Sequence, residues 1–497
     1  MSRLWPICVL AVFWAIGPAV PALLEGQLIG HGHTDLYPSV WGLWAFANAQ
    51  PGLPNQTPLL GFPDGMGYYY SSPLKGWVAA GLLSALDLPT TWNTLLIAAR
   101  LATVFAGYGA ARAWGFGTRG ALAAAALYGC SPFFHGYAVE GIAEGSDGWT
   151  LALWIWMLGL RRFRMAAIPF ALTLLSSWYL GMVAVLLLSI AVLWDRRSLW
   201  SLLGLALVSP ALAQFTIAFP GTAPLDDSIR AAMGARVQIP SPGWRPGLQP
   251  FAINTYIGGI ALIAALASRT RWVLVALLPA FLSLGVGPIY ELPVAELVRF
   301  PYRWHAATLV LLAPAVAITA DRWRWGGLIA PLIVAEGLLL SPIEPVLPGA
   351  AADIPAYVEH IAGPVLEIPG PVAMPPGQVN RSRGRARFLL YNQTDHGQPS
   401  PWVPDFNAVG VRPSSHAALL DTLAGLDRLT GQTPPTHIDW SAFESIGVTH
   451  ITVHHLRLPH TRAELAVKTL LTQGWTQTYK SREVSVFSKN GPGGQPQ

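Results

Sequence analysis

The sequence predicts a mainly α-helical, polytopic membrane protein with about 11 transmembrane helices, followed by a small C-terminal α/β domain outside the membrane. Three observations predict it. The 497 residues are 52% hydrophobic and only 11% charged, where soluble globular chains carry about 25% charged residues. Apolar runs of near-spanning length recur through the first two thirds of the chain. The arginines between those runs fall in every second connection.

Crossing the hydrocarbon core of a bilayer takes roughly 20 mostly apolar helical residues. Runs of this kind lie at 4–24, 89–112, 119–134, 148–160, 165–178, 180–194, 198–218, 251–267, 272–286, 305–320 and 325–341. Arg3, Arg112 with Arg119, the run Arg161-Arg162-Phe163-Arg164, Asp195-Arg196-Arg197, Arg269 with Arg271, and Asp321-Arg322-Trp323-Arg324 then share one side. The positive-inside rule makes that side cytoplasmic, so the N-terminus is expected inside and the C-terminal segment outside, in a cytoplasmic (inner) membrane. The stretch ending Ala19-Val20-Pro21-Ala22 also resembles a signal-peptidase site; an uncleaved first helix is the expectation. The net charge of +5 resides in these loop arginines and is no footprint for nucleic acid. Twenty-one Trp and 14 Tyr suit repeated crossings of the membrane interfaces. Cys8 and Cys130 lie in apolar segments as packing residues, with neither disulfide framework nor zinc spacing.

The expected division is a transmembrane domain over 1–345, with a long first outer loop at 25–88, then an extracytoplasmic domain over 346–490 and a disordered tail at 491–497. Within the first loop, Ser72 to Leu88 is apolar but interrupted, which fits a helix lying in the outer interface. In the last domain, Val365–Pro369, Ala386–Tyr391, Val448–Val453 and Glu483–Phe487 read as strands, while Ser415–Leu429 and Thr461–Gln473 read as amphipathic helices.

The stretch Gly30–Trp41, GHGHTDLYPSVW, admits three readings. His31, His33 and Asp35 could chelate zinc, although Leu36 stands where a further histidine would be wanted. Thr34 or Asp35 could simply cap a helix beginning at Leu36-Tyr37-Pro38. Or Asp35, just beyond the first span, acts as a general base, with His33, Tyr37, Trp41 and the later Tyr69 contacting substrate. Glu140, Glu144 and Asp147 in the second outer loop would share one face if helical. Lys75, alone among lysines before Lys468, either snorkels or meets a lipid phosphate. Arg299 and Arg303 either clamp a phosphate or pair with Glu291 and Glu296. Arg100 lies mid-span and calls for a cavity or a partner. His450, His454, His455 and His460 read as surface histidines.

Three stretches, Ala125–His135 (AALYGCSPFFH), Ser176–Gly181 (SSWYLG) and Arg299–Arg303 (RFPYR), resemble motifs of a bacterial branch of the GT-C superfamily of membrane glycosyltransferases. So do Val365–Pro369, Tyr391–His396 and Ile446–His454 in the outer domain, as does an acid placed shortly after the first span. The resemblance implies sugar transfer from a polyprenyl-phosphate carrier to an envelope glycan, lipid or protein acceptor at the outer membrane face, with inversion. It makes Asp35 the base and Glu140 or Glu144 the second acid, with Lys75, Arg299 and Arg303 toward the donor phosphate. No cofactor or metal is required, since basic side chains can neutralise the leaving group, and a divalent cation is an option. The sequence departs from the family in lacking a paired acidic motif in the first loop. The alternative is therefore a non-catalytic flippase, transporter or assembly partner for envelope polysaccharide.

Overall fold

Within the described residues, each apolar run contains helix. The computed structural model describes residues 4–49, 56–67, 70–218, 255–285, 300–369, 387–402, 440–458 and 460–489. In chain order the helices are α1 (Trp5–Ile16), α2 (Val20–Leu24), α3 (Leu36–Asn48), α4 (Pro73–Leu82), α5 (Leu88–Ala113), α6 (Thr118–Gly129), α7 (Pro132–Val139), α8 (Gly148–Gly159) and α9 (Ala167–Ser176). They continue as α10 (Trp178–Trp194), α11 (Leu203–Ala218), α12 (Gly259–Ala267), α13 (Arg271–Leu282), α14 (His305–Arg322), α15 (Ile329–Leu339), α16 (Phe388–His396), α17 (Ser441–Glu444) and α18 (His460–Thr472). The strands are β1 (Leu28–Ile29), β2 (Gln56–Thr57), β3 (Met66–Gly67), β4 (Gly349–Ala350), β5 (Val365–Ile368), β6 (His450–His454), β7 (Thr476–Lys480) and β8 (Val484–Ser488). The chain divides into two compact units.

The first unit comprises Met1–His31, Tyr70–Leu212 and Pro224–Ala352. Trp5–Leu24, Leu88–Ala113 and Pro301–Arg322 are long and apolar enough to cross a membrane, and Ala167–Ser176, Trp178–Trp194, Arg271–Leu282 and Gly326–Leu339 are shorter apolar helices. Of the eleven expected spans, these three reach full length among the described residues. The run at 119–134 is divided because Ser131-Pro132 starts a new helix, the Ser131 hydroxyl accepting from Phe134 N at 3.4 Å. The packing is that of a bundle in lipid. Ala121, Ala123, Ala125 and Ala126 are wholly buried, while large apolar side chains such as Ile263 and Leu274 face outward. Small residues let backbones approach where there is no water to drive association.

Charged side chains inside this unit serve the backbone. The Trp14 carbonyl would bond the amide four residues on, but that residue is Pro18, which has none. The buried Arg100 donates to this carbonyl at 2.5 Å and lies 5.5 Å from the Trp14 ring. Asp321 on α14 accepts from Gly117 N (2.6 Å) and Gly120 N (2.8 Å), capping α6 from another helix. Glu336 on α15 does the same for α12, accepting from Gly259 N (2.5 Å), Ile260 N (2.9 Å) and the Tyr256 hydroxyl (3.0 Å). Glu336 is a further buried charge, one that its apolar run conceals in the sequence.

The second unit comprises Gly32–Tyr69, Ala213–Ala223 and Asp353–Gln497. Its four-stranded sheet runs β5-β6-β8-β7, with β5 parallel to β6 and the other pairs antiparallel. Leu366, Ile451, Val453 and Phe487 bury one face with Ala466 and Leu470 of α18. Strands β5, β6 and β8 and helix α18 lie where the alternation places them; β7 is an addition. Ala386–Tyr391 is a correction: from Phe388 it is helix α16, closed by Gly397 at φ 63°. A four-residue apolar run does not distinguish strand from buried helix, and the left-handed glycine is the helix signal. The helix expected at Ser415–Leu429 and the tail at 491–497 lie outside the described residues.

Asp321→Ala removes two amide acceptors from the start of α6 and is expected to lower stability by about 1–2 kcal/mol, with Asp321→Asn losing less. Thermal unfolding of the purified protein in detergent measures both.

Candidate functional site

In the first unit the three motif stretches converge on Arg303. Ser177 ends α9 and starts α10 by accepting from Leu180 N at 3.3 Å, which presents Tyr179. Pro301–Trp304 forms a single 3-10 turn leading into α14 and carries Arg303. The Arg303 guanidinium lies 3.3 Å from the Tyr179 ring centroid and 4.6 Å from that of Phe300. Its Nη1 stands 3.0 Å from Glu144 Oε1. Phe133 and Tyr137 of α7 complete the wall around a cavity of about 10 Å³, room for roughly one water.

Lys75 of α4 is buried, with all of its donors engaged. Its ammonium donates to Ser146 Oγ at 2.5 Å and to the Ala143 carbonyl, and lies 3.2 Å from Asp147 Oδ2. Burial pushes the Asp147 carboxyl up, against the opposing pull of Lys75. Lys75 thus ties down the 143–147 turn. The three acids of this loop do not share one helical face. Helix α7 stops at Val139, a 3-10 turn spans Ala143–Gly145, and Glu144 and Asp147 pair with different cations. Glu140 is buried just past the end of α7.

His31 also belongs to this unit: its Nε2 lies 3.3 Å from Glu344 Oε2 and its amide donates to the Val139 carbonyl at 2.8 Å. Burial raises the Glu344 carboxyl. His33 and Asp35 belong to the second unit. Among the described residues, no group of three or more His, Cys, Asp or Glu is arranged to hold a metal.

In the second unit Asp35 stands at the N-cap position of α3, yet its side chain makes no cap bond. It pairs with Arg387, which begins α16, and 46% of its side chain remains exposed. The same two helices meet twice more. The Tyr37 and Tyr391 rings are 5.5 Å apart, and Trp41 Nε1 donates to Gln393 Oε1 at 2.8 Å. Burial raises the Tyr37 phenol. Trp41 is 1% exposed and offers no open ring face, so its place is in the core; His33 is exposed. Arg387 is the residue that sequence reasoning missed, hidden in a run taken for a strand. Arg299 and Tyr69 lie outside the described residues. The four histidines near β6 are not all superficial: His454 is buried, with Nε2 3.1 Å from Glu367 Oε2.

No protein-family model matches the chain, and a search of curated protein sequences finds no match. Solved structures do match. Arabinofuranosyltransferase AftD from Mycobacteria aligns with a TM-score of 0.60 and 18% identity, over 99% of this chain and 40% of that one. The oligosaccharyltransferase of Archaeoglobus fulgidus in its apo form aligns with a TM-score of 0.51 and 11% identity, over 91% of this chain and 69% of that one. Both are GT-C superfamily glycosyltransferases. The chain has the GT-C fold. It spans 40% of the length of AftD.

Lys75→Met leaves the buried Asp147 carboxylate without its cation and is expected to cost about 3–5 kcal/mol of stability. Adding Asp147→Leu should recover most of it. Apparent melting temperatures of the two variants and the wild type decide this.

Proposed function

We propose that this chain is an integral membrane glycosyltransferase. It moves a sugar from a polyprenyl-phosphate-linked donor to an envelope glycan, lipid or protein acceptor at the outer face of the cytoplasmic membrane. The observation that carries the proposal is the likeness of 99% of the chain to a sugar transferase built on the GT-C fold.

The reaction is a direct displacement with inversion. Asp35 accepts the proton of the acceptor hydroxyl as its oxygen bonds to the anomeric carbon. The carbon–oxygen bond to the donor phosphate breaks, and polyprenyl phosphate leaves with that electron pair. Arg303, with Arg299, neutralises the charge gathering on the phosphate. Arg303 already carries Glu144 as a counter-ion, so an arriving donor phosphate competes with that carboxylate. Glu140 or Glu144 is the second acid. Lys75 acts through the turn it fixes, its donors being committed to Ala143, Ser146 and Asp147. Arg387 orients Asp35, and His33 and Tyr37 stand beside that acid in sequence.

One observation favours the second reading, a non-catalytic polytopic protein. Two of the candidate phosphate cations, Lys75 and Arg303, already pair with acids of their own unit.

Membranes containing the chain, given labelled polyprenyl-phosphate sugars, separate the readings. Wild type is expected to transfer label, and Asp35→Asn to transfer about 10²–10⁴-fold less, with unchanged expression and melting temperature. Full transfer by Asp35→Asn would remove Asp35 as the base. No transfer by wild type, with unchanged lipid-linked sugars in membranes lacking the chain, would favour the non-catalytic reading.

A further inference from the structure

A cavity in the first unit lies at the far ends of the helices that carry the Arg303 site. Helices α8 and α10 start at that site, from Gly148 and Trp178, and run to Gly159 and Trp194 at this cavity. Its volume is about 430 Å³, within the range of roughly 300–1,000 Å³ for small-molecule sites. Gly107, Ala110 and Ala111 of α5 form one wall, and Leu187, Ile190 and Ala191 of α10 another.

The interior has little to offer water, which needs two to four polar partners. The Tyr128 hydroxyl is committed to the Gly148 carbonyl at 2.7 Å, and Trp114 Nε1 to the Ile155 carbonyl at 3.1 Å. Left empty, an apolar void of this size would forfeit the dispersion contacts of its lining. The mouth is of a different character. Trp194 and Trp272 stack there at 4.7 Å, and Arg271 lies 4.4 Å over Trp194. Aromatic rings at such a level mark the headgroup region of a membrane. The acid at the mouth, Asp195, is already paired with Arg197 at 2.7 Å. Arg161 is exposed there, in a left-handed conformation (φ 56°) that favours glycine. The mouth is thus left net positive.

We propose that this cavity seats an acyl chain of an anionic phospholipid, with the headgroup phosphate at Arg161 and Arg271. An apolar slot within a lipid-embedded bundle matches the tail, and the uncompensated guanidinium groups match the head. By the placement of the arginines, this is a lipid of the cytoplasmic leaflet, separate from the donor.

The full chain, reconstituted in nanodiscs of phosphatidylglycerol and phosphatidylcholine, tests this with phosphatidylglycerol carrying a diazirine on its acyl chain. Cross-links are expected within 107–116, 155–163 and 187–198, and are expected to be lost in Ala110→Phe. Native mass spectrometry should show intact phosphatidylglycerol retained. Arg161→Gly relaxes the turn while deleting the cation. It should keep or raise the melting temperature yet lower the preference for phosphatidylglycerol about fivefold, the effect of one basic side chain at an anionic surface. This variant keeps the test decisive if Ala110→Phe fails to fold. Cross-links confined to outward residues outside these segments, such as Ile263 and Leu274, would overturn the proposal. So would equal labelling in a folded Ala110→Phe protein, a bound fatty acid in place of a phospholipid, or an unchanged headgroup preference in Arg161→Gly.

Discussion

The structure of the first unit depends on one constraint: in a bilayer, backbone amides and carbonyls have no water to turn to. Each helix end or proline leaves such groups without partners. Arg100, Asp321 and Glu336 supply them from neighbouring helices, at 2.5–2.9 Å. The buried Glu336 carboxylate is thereby solvated by backbone amides, which is what makes it tolerable among apolar neighbours. A buried carboxylate at a helix N-terminus also meets the positive end of that helix's dipole. The same contact therefore satisfies the backbone, stabilises the charge and fixes which helices cross.

That constraint accounts for several of the buried charges. A mid-span arginine reads in isolation as a transport or binding group. Once Pro18 is recognised as removing the amide that Trp14 needs, the bond from Arg100 Nη2 to the Trp14 carbonyl has a local reason. Lys75 follows the same logic in the 143–147 turn, where a carbonyl, a hydroxyl and a carboxylate take up its donors. Arg303 differs. Its partners are aromatic faces, the Tyr302 hydroxyl at 3.4 Å and one partly exposed carboxylate, Glu144.

Much of this was legible in the sequence because hydropathy and capping are local. The apolar runs became helices, although Ser131-Pro132 divides the run read as one span at 119–134, and Ser177 closes the helix within the run read at 165–178. The β-branched runs Val365–Pro369 and Val448–Val453 read as strands, and the strands found there pair. What was not legible is long-range. The pairing of Asp35 with Arg387 joins residues 352 positions apart, and Glu336 is one acid in an apolar helix whose purpose lies on α12. Tyr37 and Trp41 looked like sugar-stacking rings because composition cannot tell a buried aromatic from an exposed one; Gln393 and Tyr391 settle them into the core.

Asp35 shows how far a local rule carries and where it stops. An aspartate preceding Leu36-Tyr37-Pro38 is well placed to cap a helix, and the helix does begin at Leu36. A capping side chain is worth about 1 kcal/mol, yet here that bond is not made. The carboxylate turns to Arg387 and keeps nearly half its surface open, 46%. A group buried for stability would be enclosed, as Glu367 is beside His454 with 5% and 4% of their side chains exposed. Asp35 is held by a guanidinium while nearly half of its side chain, 46%, stays exposed. A general base has that same requirement, fixed direction together with access for the incoming hydroxyl.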